Sequence, residues 1–330
     1  MKILLTGATG FIGSAILRKL IGRGDRVRTL VRSKSDQRNL CGLDCEVFIG
    51  DINDPDSIRP AIKDCQILFH VAADYRLWAI NPDEIIRTNI TGTQNIMMAA
   101  MAENIEKIIY TSSVATLGKN YDDTPANENT PSYLENMIGT YKRSKFLAEQ
   151  NVQRMIVDQS LPAIIVNPSA PIGPRDLKPT PTGRLIVKAA NGEIPAFIKT
   201  GLNIVHVDDV AIGHLQALEK GNIGERYILG GENLTLEKIL KLISECTGKT
   251  APKISIPPNI VLPIAYLTEA WAQITKSSEP FITVDGVRMS KQKMYYTSKK
   301  AELKLGYNFR PAKEAIKDSI EWFGKQGYIK

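Results

Sequence analysis

The segment LLTGATGFIGSAIL, at the start of the chain, constrains the fold more than any other stretch. It sets Gly7, Gly10 and Gly13 between a short apolar run and a stretch with an apolar face at helical spacing (Ile12, Ile16, Leu17, Leu20, Ile21). In such a strand–turn–helix the first glycine permits a tight turn and the second lets backbone approach a pyrophosphate. The third permits close helix packing. The anion then rests on free N–H groups at the positive end of the helix. Three glycines alone are a weak signal, and an ordinary glycine-rich turn is the competing reading. A strand before them and an apolar-faced helix after them make the signal strong. Thr9, Phe11 and Ile12 share the turn and join the three glycines as candidate cofactor contacts.

The first half alternates β-rich runs at 2–6, 26–32, 46–49, 66–72, 106–111 and 163–167 with helical patterns at 11–21, 56–62, 82–102 and 139–159. Alternation of this kind predicts an α/β fold, a Rossmann-type doubly wound parallel sheet with helices on both faces. Beyond residue 167 prolines crowd NPSAPIGPRDLKPTPTG, which reads as a long loop leaving the last of these strands. Helical patterns at 208–220, 236–246 and 312–326 mix with short strands and predict a smaller C-terminal substrate lobe. The expected division is an NADP-binding domain over 1–167 and a mainly substrate-binding lobe over 168–330, with later segments returning to the first domain.

A chain of 330 residues can bury a large core. Its net charge of +7 is spread among acids rather than gathered in a stripe, which argues against nucleic acid and suits a phosphate-bearing cofactor. No run is long and apolar enough to span a bilayer, and the apolar run before Thr6 is too short for a signal peptide. A cytoplasmic location is therefore expected. Cys41, Cys45, Cys65 and Cys246 lack the spacing of a metal site and read as reduced, mostly buried thiols, with no metal.

The end of the second strand bears on the cofactor. An acid there would bind the adenosine ribose hydroxyls, whereas an arginine accommodates a 2′-phosphate. The strand ends RTLVRSKSDQR, placing Arg32 where the acid would stand, with Lys34 and Arg38 following. This predicts NADP(H) over NAD(H), a solvated surface arginine being the alternative. Asp51 and Ile52, after the third strand, are candidate adenine contacts. Ala72 and Ala73 leave room beside the fourth strand, and Pro168 ends the sixth.

Three Tyr-x-x-x-Lys pairs occur: Tyr141–Lys145, Tyr295–Lys299 and Tyr296–Lys300. Tyr141 and Lys145 share one helix face after the fifth strand, whose end carries Ser113 in YTSSVATLG. A phenol titrating near 10 is a sluggish proton donor at neutral pH, and an adjacent ammonium would lower that value. A serine hydroxyl could hold the substrate oxygen. The pairs at 295–300 lack a serine-bearing strand end and read as surface or loop tyrosines. Position therefore selects Ser113, Tyr141 and Lys145 as the catalytic candidates.

With TGATGFIG, YTSSVATLG and YKRSK, and with HVDDVA and KKAELKLGY further on, essentially the whole chain resembles the extended short-chain dehydrogenase/reductases. More narrowly, HVAADYRLWA, NPSAPIGPRDLKPTPTGR and GERYILGGENLTL resemble the hopanoid-associated sugar epimerases, a group itself similar to dihydroflavonol 4-reductases. The resemblance implies the triad Ser113, Tyr141 and Lys145, with Lys145 also on the nicotinamide ribose, and a chiefly structural Asn89. It also implies a homodimer formed through the helices near 82–102 and 139–159. One departure stands out: nucleotide-sugar epimerases carry an asparagine on the sugar nucleotide's diphosphate where this chain has Ala170, a pattern closer to the dihydroflavonol reductases.

Substrate candidates come from loop position: Asp74, Tyr75, Arg76 and Trp78 after the fourth strand, and Ser169, Lys178, Thr180, Thr182 and Arg184 in the proline-rich stretch. Arg76 and Trp78 could bind an anion and stack on a ring, or merely brace the loop. His206 reads as a loop-fixing hydrogen bonder. The apolar stretch 260–267, broken by Pro263, reads as a wall of the second lobe, with a lipid-like substrate or peripheral membrane contact as alternatives. The leading functional expectation is an NADP(H)-dependent oxidoreductase or epimerase moving hydride at a secondary alcohol or ketone of a small, sugar-derived molecule. A dihydroflavonol 4-reductase-like ketone or aldehyde reductase is the alternative, and a non-catalytic NADP-sensing regulator the reading from another class.

Overall fold

The computed structural model describes residues 1–330 apart from 121, 277–279 and 281. In chain order the first half runs β1 (Lys2–Thr6), α1 (Phe11–Gly22), β2 (Arg26–Val31), β3 (Glu46–Ile49), α2 (Pro55–Ile62), β4 (Ile67–His70), α3 (Asp83–Ile86), α4 (Gly92–Ala102), β5 (Lys107–Thr111), α5 (Gly139–Gln159) and β6 (Ala163–Pro168). The second half runs β7 (Ala170–Ile172), α6 (Pro181–Ala190), β8 (Ala196–Phe197), β9 (Gly201–His206), α7 (Val207–Lys220), β10 (Arg226–Leu229), β11 (Glu232–Thr235), α8 (Leu236–Thr247), β12 (Ile254–Ser255), α9 (Pro258–Thr275), α10 (Val284–Met289), α11 (Lys299–Leu305) and α12 (Ala312–Lys325).

Seven parallel strands form the main sheet in the order β10-β6-β5-β4-β1-β2-β3. The reversal of strand order falls between β1 and β4, the place beyond whose strand ends open α/β sheets bind their ligands. The central strands are apolar on both faces because both are covered. Ile3, Leu5 and Phe69 pack under α1 and α7, whereas Leu4, Leu68 and Ile108 pack under α2, α4 and α5. β10 and α7 return to this sheet from beyond residue 167. The second lobe stands on the three-stranded sheet β11-β9-β7, its core closed by α6, α8 and α12.

Three expectations need correction here. The helix anticipated over 82–102 is interrupted by a π turn at Arg87–Thr91. That turn buries Asn89, whose amide bonds both backbone groups of Asp74 and the Ser144 hydroxyl. The proline-rich stretch is more ordered than a long loop. Pro168 pairs with Leu229 and residues 170–172 form β7 beside β9. Pro181 opens α6, where no N–H is required, behind a Thr180 cap whose hydroxyl is anchored on buried Asp176. Lastly, Cys65 is the buried thiol, whereas Cys41 is exposed and Cys45 and Cys246 are half-buried.

The stretch 260–267 lies in α9, and only one side of that helix is a wall. Val261 and Ala265 pack on Val284 and Val287 of α10. On the opposite side Ile260, Ile264, Leu267, Trp271 and Ile274 follow one another at spacings of four and three and are 49–78% exposed. Among the described residues no helix is long and apolar enough to cross a membrane.

Candidate active site

The glycine turn is built for close approach. Gly7 has φ +77°, and a Cβ there would lie 2.7 Å from the backbone nitrogen of Ala72. A Cβ on Gly13 would lie 2.0 Å from the Gly7 carbonyl oxygen, so α1 reaches β1 only because residue 13 has no side chain. Gly10 starts α1 with no side-chain cap, leaving the N–H groups of its first turn aimed out of the sheet end. These features fit a dinucleotide diphosphate. Thr9, Phe11 and Ile12 belong to this turn, and Ala72 and Ala73 flank it, half-buried, after β4. Pro168 closes β6, and next to it the buried Ser169 hydroxyl has no partner among the described residues.

A network behind the turn had no local signature in the sequence. Asn39 donates its amide to the carbonyls of Thr9 and Arg175 at 3.1 Å, and Arg18 donates to the Asn39 carbonyl at 2.9 Å. Arg175, at φ +77°, pairs with Asp208. At the end of β2, Arg32 is exposed, and its side chain makes no hydrogen bond or ion pair among the described residues. Arg38 is engaged instead, in a two-pronged pair that holds the Asp36 carboxyl down at about 2. Asp51 accepts from the backbone and side chain of Asn53, and Ile52 packs beside Gly92.

Ser113, Tyr141 and Lys145 converge at the carboxyl end of β5. Ser113 leaves that strand in extended geometry, its hydroxyl accepting from the Ala115 N–H at 3.1 Å and near enough to the Tyr141 phenol to act on its proton affinity. The Lys145 ammonium, one turn along α5, donates to the Thr111 carbonyl at 3.0 Å and the Tyr110 hydroxyl at 3.3 Å. It lies 4.9 Å from the centre of the Tyr110 ring. Burial pulls Lys145 down to about 8, against the opposing charge of Glu149. Glu149, a further turn on, accepts from Thr116, Asn167 and Arg226 and so joins α5 to the end of β6 and the start of β10.

The expected lowering of the Tyr141 pKa by Lys145 is not what the geometry produces. Burial raises Tyr141 above the ordinary phenol value, and the Ser113 bond is what pulls it back. Two further titratable rings stand nearby: Tyr110, raised by burial, and His70, stacked on it at 5.7 Å, clamped between Thr6 and Thr93 and pulled down by burial to about 3.

The other Tyr-x-x-x-Lys pairs lie away from this point. Tyr295 covers Gly201, while Tyr296 is buried rather than superficial, bridged through its backbone to Ala126. Lys300 pairs with Glu225. Of the substrate candidates, Arg76 is clamped by Asp74 at 2.6 Å and Glu84 at 3.0 Å, which supports the bracing reading. Tyr75 ties the two loops by donating to the Lys178 carbonyl at 3.3 Å. Lys178 is exposed, and Trp78, Thr182 and Arg184 are half-buried. His206 caps α7 by accepting from the Asp208 N–H. Ala170 sits in β7 and brings no side-chain donor.

A glycine cradle at the head of a parallel sheet, with a serine, a tyrosine and a lysine gathered beside it, defines a Rossmann oxidoreductase of the extended short-chain dehydrogenase/reductase class. The chain belongs to the NAD dependent epimerase/dehydratase family, whose model matches residues 3–230, and is an enzyme of nicotinamide chemistry. It is 43% identical over 331 residues to a Synechocystis sp. protein named for dihydroflavonol 4-reductase, covering 99% of this chain and 95% of that one. It is 33% identical over 331 residues to sterol demethylase protein B of Methylococcus capsulatus, across 100% of both chains. Among solved structures, the crystal structure of gox2253 matches with a TM-score of 0.90 at 50% identity, over 100% of this chain and 99% of that one.

The depressed value of Lys145 has a sign that can be measured. The folded value lies below the ordinary lysine value, so the buried cation opposes folding at neutral pH. That opposition eases as pH rises from about 8 through the unfolded lysine range. Lys145→Met should therefore be more stable than the native chain by about 2 kcal/mol at pH 7, with the gain fading near pH 10. Urea unfolding at the two pH values checks this, and a variant equally destabilised at both would refute the assignment.

Proposed function

We propose that the chain is an NADP(H)-dependent oxidoreductase that interconverts a ketone and a secondary alcohol on a largely apolar small molecule. The observation that carries the reading is Tyr141 and Lys145 one turn apart on one face of α5, with the Lys145 ammonium on the Thr111 carbonyl two residues before Ser113. The bound cofactor supplies or takes up the hydride. In the reducing direction Tyr141 gives its proton to the carbonyl oxygen, which the Ser113 hydroxyl holds in place. Lys145, one turn along α5 and anchored on the Thr111 carbonyl, holds Tyr141 in place for this transfer. In the oxidising direction the same proton returns to Tyr141.

Two observations favour a ketone reductase over a nucleotide-sugar epimerase. Ala170 offers no donor where the epimerases place an asparagine on the diphosphate. The more similar relatives are named for a dihydroflavonol and a sterol, both polycyclic and weakly polar. The unpartnered Arg32 at the end of β2 supports NADP(H). Stoichiometric loss of NADPH with a polycyclic ketone is the expected outcome; sugar turnover without net NADPH loss would instead mean epimerisation. Tyr141→Phe should lower turnover at least about 100-fold while cofactor affinity holds, and undiminished turnover would remove Tyr141 from the chemistry. Arg32→Ser should weaken NADPH about tenfold and leave NADH unchanged. Native NADH binding as tight as NADPH would end the NADP assignment.

The α9 stripe supports peripheral contact with an anionic lipid surface as the route for such a substrate. Glu269, the one acid in that helix, is turned inward onto the Val284 N–H. Lys276 caps the end of the helix, exposed, and Arg288 reaches Tyr266 at 3.0 Å. An apolar face bordered by cations suits the interface of an acidic bilayer. Native protein should sediment with phosphatidylserine-containing vesicles, and Leu267→Ser with Trp271→Ser should reduce that at least tenfold. Equal sedimentation of both proteins would count against the contact.

A further inference from the structure

One buried amide holds two parts of the site at once. Asn39, 5% exposed in the segment between β2 and β3, turns its side-chain nitrogen to the carbonyls of Thr9 and Arg175, each at 3.1 Å. Carbonyls only accept, so the group facing them is the NH2, and its two hydrogens serve one partner each. Neither partner is close in the chain. Thr9 lies in the glycine turn, 30 residues back, and Arg175 lies in the loop between β7 and α6, 136 residues on. Asn39 is itself held to α1, because the Arg18 guanidinium donates to its backbone carbonyl at 2.9 Å.

At the first carbonyl the bond fixes a peptide plane. The Gly10 N–H, on one edge of the Thr9–Gly10 peptide, donates to the Gly7 carbonyl at 2.9 Å. The Thr9 carbonyl, on the opposite edge, is taken by Asn39, so that this peptide is pinned from both sides. The uncapped N–H groups of α1 follow directly after it. A Thr9 carbonyl free to turn toward the ligand would set its oxygen against phosphate oxygens, acceptor against acceptor. At the second carbonyl the bond holds a conformation that a side chain resists. Arg175 has φ +77°, and a residue with a Cβ persists there only where its surroundings fix it. Asn39 fixes its backbone and Asp208 pairs with its side chain. The loop so held leads through buried Asp176 to the Thr180 cap of α6.

We propose that Asn39 is a positioning residue: it sets the seat of the dinucleotide's diphosphate by orienting the Thr9–Gly10 peptide, and it ties that seat to the loop that opens the substrate lobe. The proposal rests on the reading of the glycine turn as the cofactor's cradle. It is separable from the preference for NADP(H), because the diphosphate is common to both dinucleotides, whereas Arg32 concerns the 2′-phosphate alone. Asn39 therefore raises the affinity for NADP+ and NAD+ by one factor and does not choose between them.

Native protein and Asn39→Leu, which keeps the branched shape of the side chain but has no donor, are titrated calorimetrically with NADP+, NAD+ and adenosine 2′-phosphate. The variant should bind both dinucleotides about tenfold more weakly, by the same factor. Adenosine 2′-phosphate has no diphosphate, and its affinity should change less than about twofold, which a general loosening of the fold would not allow. With NADP+ bound, amide exchange at 173–180 should be faster in the variant, while exchange in α8 stays as it was. If Asn39→Leu does not fold, Asn39→Ser, left with one donor, should still weaken both dinucleotides several-fold. Unchanged dinucleotide affinity, an equal loss for adenosine 2′-phosphate, or unchanged exchange at 173–180 would overturn the proposal. Native protein that binds NAD+ as tightly as NADP+ would overturn the NADP assignment instead, and the factor due to Asn39 would still be read on both dinucleotides. Native protein that binds neither would overturn both.

Discussion

The buried ammonium of Lys145 is the constraint from which the rest of the site follows. A cation with 2% exposure persists only where acceptors surround it, and the Thr111 carbonyl at the end of β5 is one of them. That bond sets the register of α5 against the sheet. Tyr141 then falls one turn back, at the Ser113 hydroxyl, and Glu149 one turn forward, at Asn167 and Arg226. Residues 141, 145 and 149 thus occupy one helix face, the first two at the carboxyl end of β5 and the third between the end of β6 and the start of β10. A site assembled on a long helix and strand ends is held more rigidly than one assembled on loops.

The glycine cradle plays the corresponding part at the other side of the crevice. Gly13 brings α1 onto the Gly7 carbonyl, and Gly7 brings β1's end against Ala72. Both approaches depend on missing side chains, and both occur where the strand order reverses. The two halves of the site therefore face one another across the ends of β1, β4 and β5, which is where a dinucleotide's diphosphate and reactive ring must lie if both are to be served.

Much of this was legible in the sequence, for a physical reason. Parallel central strands are buried on both faces, so runs such as KILLT and AIIVN are continuously apolar and their limits fall within a residue or two of the observed ones. The candidate triad stood out because a helical spacing and a strand end are both local patterns. Proline's meaning was positional, and its crowding concealed β7 and the start of α6, where a missing N–H does no harm. Nor can periodicity separate the two apolar sides of α9, since packing on α10 is a tertiary fact. The Arg18–Asn39–Arg175 network joins distant segments, and no spacing announces it. Tyr141 had its neighbour and position foreseen, but not the dominance of burial over charge in setting its proton affinity.

The central claim is that Tyr141, Ser113 and Lys145 surround the carbon to which hydride moves. A crystal structure of the chain with NADP+ bound measures this most directly. It should show the nicotinamide ring turned toward the Tyr141 hydroxyl, with Lys145 on the adjoining ribose and Arg32 on the 2′-phosphate. A nicotinamide ring seated elsewhere, with the Tyr141 side chain directed away from its C4 atom, would contradict the account.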